Sequence, residues 1–245
     1  MKNIKLTIEY DGTSFCGWQN QPRGRTVQNE IEKALSILLK KKVKIYGAGR
    51  TDSGVHALGQ VANFKEKIAI PTGKIPLALN GLLPEDIVIK SAEEMDPSFH
   101  ARYSAVGKKY IYKINNTKFR KPLLRNYAYL VPYELDLEKM MTASKYFIGE
   151  HDFKGFMASG SSVKNTVRTI YSFDVCMIDN MIIIETRGNG FLYNMVRIMV
   201  GTLVDVGRNK IKAHELPLII GSGIREKAKH TAKAQGLYLA EVYYD

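Results

Sequence analysis

Ile4, Leu6, Ile8 and Tyr10 alternate with Lys5, Thr7 and Glu9, the two-residue period of a strand that buries one face. Asp11-Gly12-Thr13 then turns the chain, because these residue types favour turn conformations. Beyond Thr26 the period lengthens, and Val27, Ile31, Leu35 and Leu38 fall on one helical face. Lys40-Lys41-Lys42 closes that helix, where cations suit the carbonyl end of the dipole. Short β segments over 43–46 and 60–64 flank a glycine-bounded loop. A helix over about 73–83 stops near Pro84, and a strand follows over 87–91. The predicted order is β-α-β-β-α-β.

The second half reads in a similar way. Strands are predicted over 110–114 and 127–131, a helix over 135–147, and a hairpin of 169–177 with 181–186 across Asp179-Asn180. A long helix over 191–206 and a last strand over 237–243 complete the chain. The pattern predicts an α+β fold of two similar ferredoxin-like or RNA-recognition-like halves. Their largely antiparallel sheets are expected to join around a central basic cleft. The halves divide into residues 1–105 and 106–245, the last strand able to pair back across the divide.

Composition narrows the class. Among 245 residues, 45% are apolar and 24% charged, as in an ordinary soluble protein. No apolar run reaches the ~20 residues of a spanning helix, and the first residues alternate at once instead of forming a secretory leader. Only Cys16 and Cys176 are present, which suits a reducing cytoplasm and offers neither a disulfide framework nor metal-ligand spacing. The net charge of +12 argues for a polyanionic partner, nucleic acid before an anionic membrane surface.

Within this basic chain, Gly49-Arg50-Thr51-Asp52-Ser53-Gly54-Val55-His56-Ala57 places one carboxylate in a tight loop. Arg50, two positions earlier, favours the ionised form of Asp52, which would suit a nucleophile. A turn-forming Asp bonded to its own backbone is the simpler alternative. Gly47-Ala48-Gly49 begins like a dinucleotide fingerprint, but Asp52 stands where the third glycine belongs and would repel a pyrophosphate. Gly54 and Gly59 are followed by Gln60-Val61, so no nucleoside-triphosphate loop is present. Gly160-Ser161-Ser162 lacks the closing glycine of a nucleophile elbow. The five histidines are scattered, without metal-ligand spacing.

Trp18, Tyr103, Tyr110 and Tyr112 are the aromatic candidates for base stacking. Tyr110 and Tyr112 share one strand face, flanked by Lys108, Lys109 and Lys113, an arrangement like a stacking platform for an unpaired base. Core packing is the alternative for both. Arg197 lies in a stretch otherwise apolar from Met195 to Leu203. A partly buried guanidinium needs an acidic partner, and Asp52, Asp205 and Glu185 are the candidates.

These residues resemble, over nearly the whole chain, the TruA-type tRNA pseudouridine synthases. Tyr10 to Thr13 with Gly17-Trp18-Gln19 is similar to the family's opening block, and Gly49 to Ala57 with Gly59-Gln60-Val61 to its catalytic loop. Phe99 to Arg102, Lys109 to Tyr112, Val163 to Arg168 and Phe191 to Arg197 continue the series. Tyr193-Asn194 departs from the Trp-His found in many members. The resemblance implies an isomerase that detaches uracil from ribose, rotates it and rejoins it through carbon, at positions 38, 39 and 40 in the anticodon stem-loop of tRNA. It implies a homodimer, with no cofactor and no metal. By the same likeness Asp52 is the catalytic nucleophile, Tyr110 stacks on the target uracil, Arg50 fills the space the base leaves, and Arg197 pairs with the Asp52 carboxylate. Whether Asp52 attacks sugar or base, or removes a ribose proton, stays open. Two rivals share the charge and the aromatics: a non-catalytic RNA-binding protein, and an RNA N-glycosidase. The second would want another carboxylate to activate water.

Overall fold

The computed structural model describes residues 1–160 and 163–245, so Ser161 and Ser162 of the rejected elbow lie outside the described residues. The chain forms two compact units, residues 1–106 with 238–245, and residues 107–237. The last strand therefore belongs with the first unit, although the sequence division counted it within 106–245.

The first unit runs β1 (Lys2–Tyr10), α1 (Val27–Leu39), β2 (Tyr46–Gly47), β3 (His56–Glu66), α2 (Ile75–Asn80) and β4 (Ile87–Met95), the order expected from periodicity. Its sheet is ordered β4-β1-β3-β10, with β10 spanning Leu237–Tyr244 and β2 paired to β3. β1 is antiparallel to both neighbours, setting Leu6 opposite Ala62 and Ala92. Ile4, Leu6, Ile8 and Tyr10 are buried, as their alternation requires. On α1 the buried residues are Val27, Ile31, Ala34 and Leu35, while Leu38 is half-buried. Lys40 ends the helix in the left-handed conformation. The strand expected over 43–46 is only Tyr46–Gly47, because Val43 and Ile45 are buried as single residues outside the ladder. β10 joins β3 in parallel at Tyr238↔His56 and Leu239↔Ala57, a long-range pairing that no local pattern encodes.

The second unit contains β5 (Ala105–Asn115, entering from the first unit), β6 (Tyr129–Leu130), α3 (Leu137–Ser144), β7 (Gly149–Asp152), β8 (Val167–Ile178), β9 (Met181–Gly188), α4 (Met195–Gly207) and α5 (Leu216–Ser222). Its sheet is ordered β5-β9-β8-β7 with antiparallel neighbours, and β6 lies parallel to β5. Asp179 and Asn180 have φ of 47° and 63°, so the β8–β9 hairpin closes through two left-handed residues whose twist matches the strands. Asp136 caps α3 by accepting from the Lys139 amide at 3.0 Å. Every residue of α4 from Ile198 to Gly207 is buried, which accounts for a helix apolar nearly all round. α4 starts at Met195, later than the expected 191, because Asn194 has φ 60° and interrupts helical geometry. Periodicity missed β7 and α5, which are four and seven residues long, too short for a period to declare itself.

Candidate active site

The connection from β2 to β3 carries Asp52, and its neighbours are anchored almost residue by residue. Gln60, fully buried, donates its side-chain N–H to the Gly49 carbonyl at 3.0 Å. The Ala48 amide donates to the Val61 carbonyl at 2.7 Å. Thr51 is held twice, its hydroxyl 2.7 Å from the Tyr10 hydroxyl and its carbonyl accepting the Trp18 amide at 3.1 Å. The Ser53 hydroxyl and the Gly54 amide both donate to the Phe15 carbonyl, at 3.1 and 3.4 Å. The Val55 amide closes the turn on the Asp52 carbonyl at 3.1 Å. Asp52 is half-buried at the centre of this scaffold, and Arg50 is exposed beside it.

Residues 12–18 press against the loop closely enough to exclude side chains. A Cβ on Gly12 would meet the Val55 carbonyl oxygen at 2.0 Å, and one on Gly17 (φ +100°) would meet the Thr51 oxygen at 2.7 Å. Glycine is required at both positions by contact, and at Gly17 also by conformation. The buried His56 continues the same packing. Its Nδ1 lies 3.0 Å from the Gly12 amide and 3.1 Å from Asp11 Oδ1, and its ring stacks on Tyr238 at 4.8 Å. Burial lifts the Tyr10 phenol far above its ordinary pKa, against a lesser opposing effect of its hydrogen bonds to Thr51 and Gln60. It therefore remains a neutral hydroxyl under the Asp52 loop.

Trp18 is not a stacking platform. Its indole is buried against Gly47 and sits 6.1 Å from the Tyr10 ring. Tyr103 is 77% exposed, with the Arg102 guanidinium over its ring at 5.7 Å.

In the second unit Tyr110 and Tyr112 project to the same face of β5, as the period requires, and that face is the buried one. Tyr110 is 9% exposed and meets Phe191 edge-on at 5.0 Å. Lys109 and Lys113 project to the opposite face, where Lys109 pairs with Glu185 at 2.6 Å. Only Lys108 shares the face of Tyr110, so the lysine-flanked platform read from the sequence is corrected by strand alternation. Tyr112 donates its hydroxyl to the Lys233 carbonyl at 2.6 Å. Burial raises its pKa well above the ordinary value, and the nearby Arg197 charge opposes the rise.

Arg197, half-buried on the first turn of α4, donates Nε–H to the Ala232 carbonyl at 2.8 Å and Nη1–H to Asn194 Oδ1 at 2.6 Å. Of the ordinary acidic partners considered for it, Asp205 pairs with His230 at 3.0 Å and Glu185 with Lys109. Asp52 and Arg50 thus share one loop of the first unit, whereas Tyr110 and Arg197 belong to the second. Sequence reasoning missed Tyr10, Gln60, Asp11 and His56 as supports of the Asp52 loop. The only signal for them was their presence in the ordered blocks around it. Among the described residues, no group of three or more His, Cys, Asp or Glu is placed to hold a metal ion. Among them, too, no helix is long and apolar enough to cross a membrane.

The family model described as tRNA pseudouridine synthase matches residues 6–104 and 143–245. A tRNA pseudouridine synthase A of Acetivibrio thermocellus is 54% identical over 244 residues, covering all of both chains. That of Ruminiclostridium cellulolyticum is 54% identical over 245 residues, again covering both chains fully. The tRNA pseudouridine synthase A 2 of Clostridium perfringens is 50% identical over 244 residues with the same full coverage.

Proposed function

This chain belongs to the tRNA pseudouridine synthase family, an isomerase family, and we propose that it converts uridine to pseudouridine at positions 38, 39 and 40 of the tRNA anticodon stem-loop. The observation that carries the reading is the scaffold around Asp52. Five loop residues are anchored through Gln60, Val61, Tyr10, Trp18 and Phe15, a rigidity that an ordinary surface turn does not need. Rigid support of one reactive group is what catalysis by positioning demands.

The target uridine lies in the stem or at its junction with the loop and must leave its stack, at a cost of a few kcal/mol. Stacking on an aromatic ring recovers about 1–3 kcal/mol, and Tyr110 is the proposed ring. The N1–C1′ bond then breaks, with positive charge developing on the sugar that an ionised carboxylate can stabilise or capture. Asp52 is the proposed nucleophile. The uracil turns and forms a C5–C1′ bond, C5 releases its proton and N1 takes one up. Substrate and product are isomers, so no oxidant, reductant or net water is consumed and the reaction calls for no cofactor. In this reading Arg197 supplies the counter-charge that keeps the Asp52 carboxylate ionised, and Arg50 takes the place of the extruded base. The basic excess of +12 serves to neutralise phosphates. The enzyme is proposed to act in the cytoplasm as a homodimer, which analytical ultracentrifugation would test.

The decisive experiment incubates an unmodified tRNA transcript with the purified chain and maps the modified uridines. Pseudouridine confined to the anticodon arm supports the reading. A transcript that binds but stays unmodified returns the chain to the class of non-catalytic RNA-binding proteins.

A further inference from the structure

Segment 228–233 runs beside α4 and meets it at successive turns. Arg197, Gly201 and Asp205 are four residues apart on that helix and so share one face. Arg197 holds Ala232 through both peptide groups. Its carbonyl accepts the Ala232 amide at 3.0 Å, and its Nε–H donates to the Ala232 carbonyl at 2.8 Å. One turn on, a Cβ at Gly201 would lie 2.1 Å from the His230 carbonyl oxygen, so the segment lies this close only because that position is glycine. One turn further, the Asp205 carboxylate accepts the His230 Nδ1–H at 3.0 Å.

The other side of the segment is held as well. Arg225 donates to the Lys229 carbonyl and to the Thr231 hydroxyl, both at 2.7 Å. Between these anchors Lys229 adopts φ 60° and ψ −132°, a conformation side-chain-bearing residues rarely take and one that persists only where neighbours enforce it. At its end the Lys233 carbonyl accepts the Tyr112 hydroxyl, which ties the segment to the strand that carries Tyr110.

Asp205 is the one acidic residue of α4, and its side chain is 7% exposed. An apolar residue would fill such a site without the cost of desolvating a charge. The pair with His230 is explained if the register of the segment matters more than that cost. Among the described residues His230 Nε2 is buried without a hydrogen-bond partner, and the tautomer with its proton on Nδ1 serves Asp205 while placing no N–H at that site. Arg197 is planar, so bonds at Nε and Nη1 to Ala232 and Asn194 orient the whole guanidinium. Ala232 is in turn held by the segment.

We propose that segment 228–233 is the positioning element of the Arg197 guanidinium, with Gly201, Asp205 and His230 as its positioning residues. This rests on the reading that Arg197 serves the reacting centre.

The test follows the Arg197 Nε–H resonance by nuclear magnetic resonance in the full chain, assigned with Arg197→Lys, together with kcat and KM on a tRNA transcript. His230→Ala and Gly201→Ala should speed exchange of that proton and lower kcat, each by about tenfold, with KM little changed. His230→Asn, whose amide nitrogen reproduces the Nδ1 donor, should restore both readings, and His230→Gln should not. If His230→Ala does not fold, His230→Phe keeps the ring volume without the donor and is read in its place. Unchanged Nε–H exchange in a folded variant lacking the donor overturns the proposal. Full activity of Arg197→Ala would instead overturn the reading of Arg197, while the exchange measurement would still judge the segment.

Discussion

The hydroxyls of Tyr10 and Thr51 lie 2.7 Å apart in the buried interior of the first unit. That bond joins the last residue of β1 to the residue preceding Asp52, across 41 positions of sequence. The loop that carries Asp52 is thus tied to the end of the β1 strand as well as closed by its own turn. Tyr10→Phe should destabilise the fold by about 1 kcal/mol, read from the urea midpoint. It should lower kcat more than that modest loss suggests, because the loop loses a fixed point. Wild-type kcat in the Phe variant would show that the bond serves folding alone.

Gly12→Ala and Gly17→Ala force a methyl group against the Val55 and Thr51 carbonyl oxygens. Each is expected to cost about 1–3 kcal/mol through overpacking, with additional backbone strain at Gly17. Thermal unfolding measures the loss, and amide exchange at Gly54 should rise as its bond to the Phe15 carbonyl loosens.

Asp52→Asn should abolish isomerisation and leave tRNA affinity within about threefold, since one uncharged side chain alters little of a phosphate-dominated interface. Single-turnover assays and filter binding separate the two quantities. Measurable turnover by the Asn variant would remove Asp52 from the role of nucleophile.

Tyr110 is packed against Phe191, so its truncation mixes stability with recognition. Tyr110→Ala is expected to cost about 3–5 kcal/mol of stability as a large-to-small core change. Tyr110→Leu keeps much of the volume without an aromatic face, and Tyr110→Phe keeps the face. If stacking is the function, Phe retains uridine extrusion and Leu loses it. A 2-aminopurine reporter beside the target would distinguish them, and equal behaviour of Phe and Leu would leave packing as the sole role.

Stability should fall in alkali. Burial raises the Tyr10 and Tyr112 phenols in the native state, so above about pH 10 the unfolded chain releases protons that the folded chain retains. The native state then binds more protons, and stability decreases with rising pH by up to about 1.4 kcal/mol per unit for each phenol. Below the ordinary tyrosine pKa neither contributes any slope. Tyr112→Phe should flatten the alkaline limb of a urea-midpoint profile and should leave its slope unchanged between pH 7 and 9.

The elements long enough to repeat were legible in the chain. β1, α1, α4 and the β8–β9 hairpin follow from two- and four-residue spacing of apolar side chains, and from Asp179-Asn180 taking the left-handed turn. Four-residue β7 and seven-residue α5 were invisible, because a period needs several repeats before it exceeds chance. The lysines around Tyr110 looked like one platform. Alternation places Lys109 and Lys113 on the far face, and burial of Tyr110 and Tyr112 follows from packing that no spacing reveals.

Local chemistry written in the chain was enough to specify the α+β class, the basic charge and a glycine-bounded loop with a solitary carboxylate, since these depend on residue type and near neighbours. Folding alone supplied the Tyr10–Thr51 bond, the grip of Gln60 on Gly49, the return of β10 to β3, and the hold of Ala232 on Arg197. Each joins positions far apart along the chain or depends on a few tenths of an ångström at a buried contact. Such contacts exist only once the whole core has closed around them.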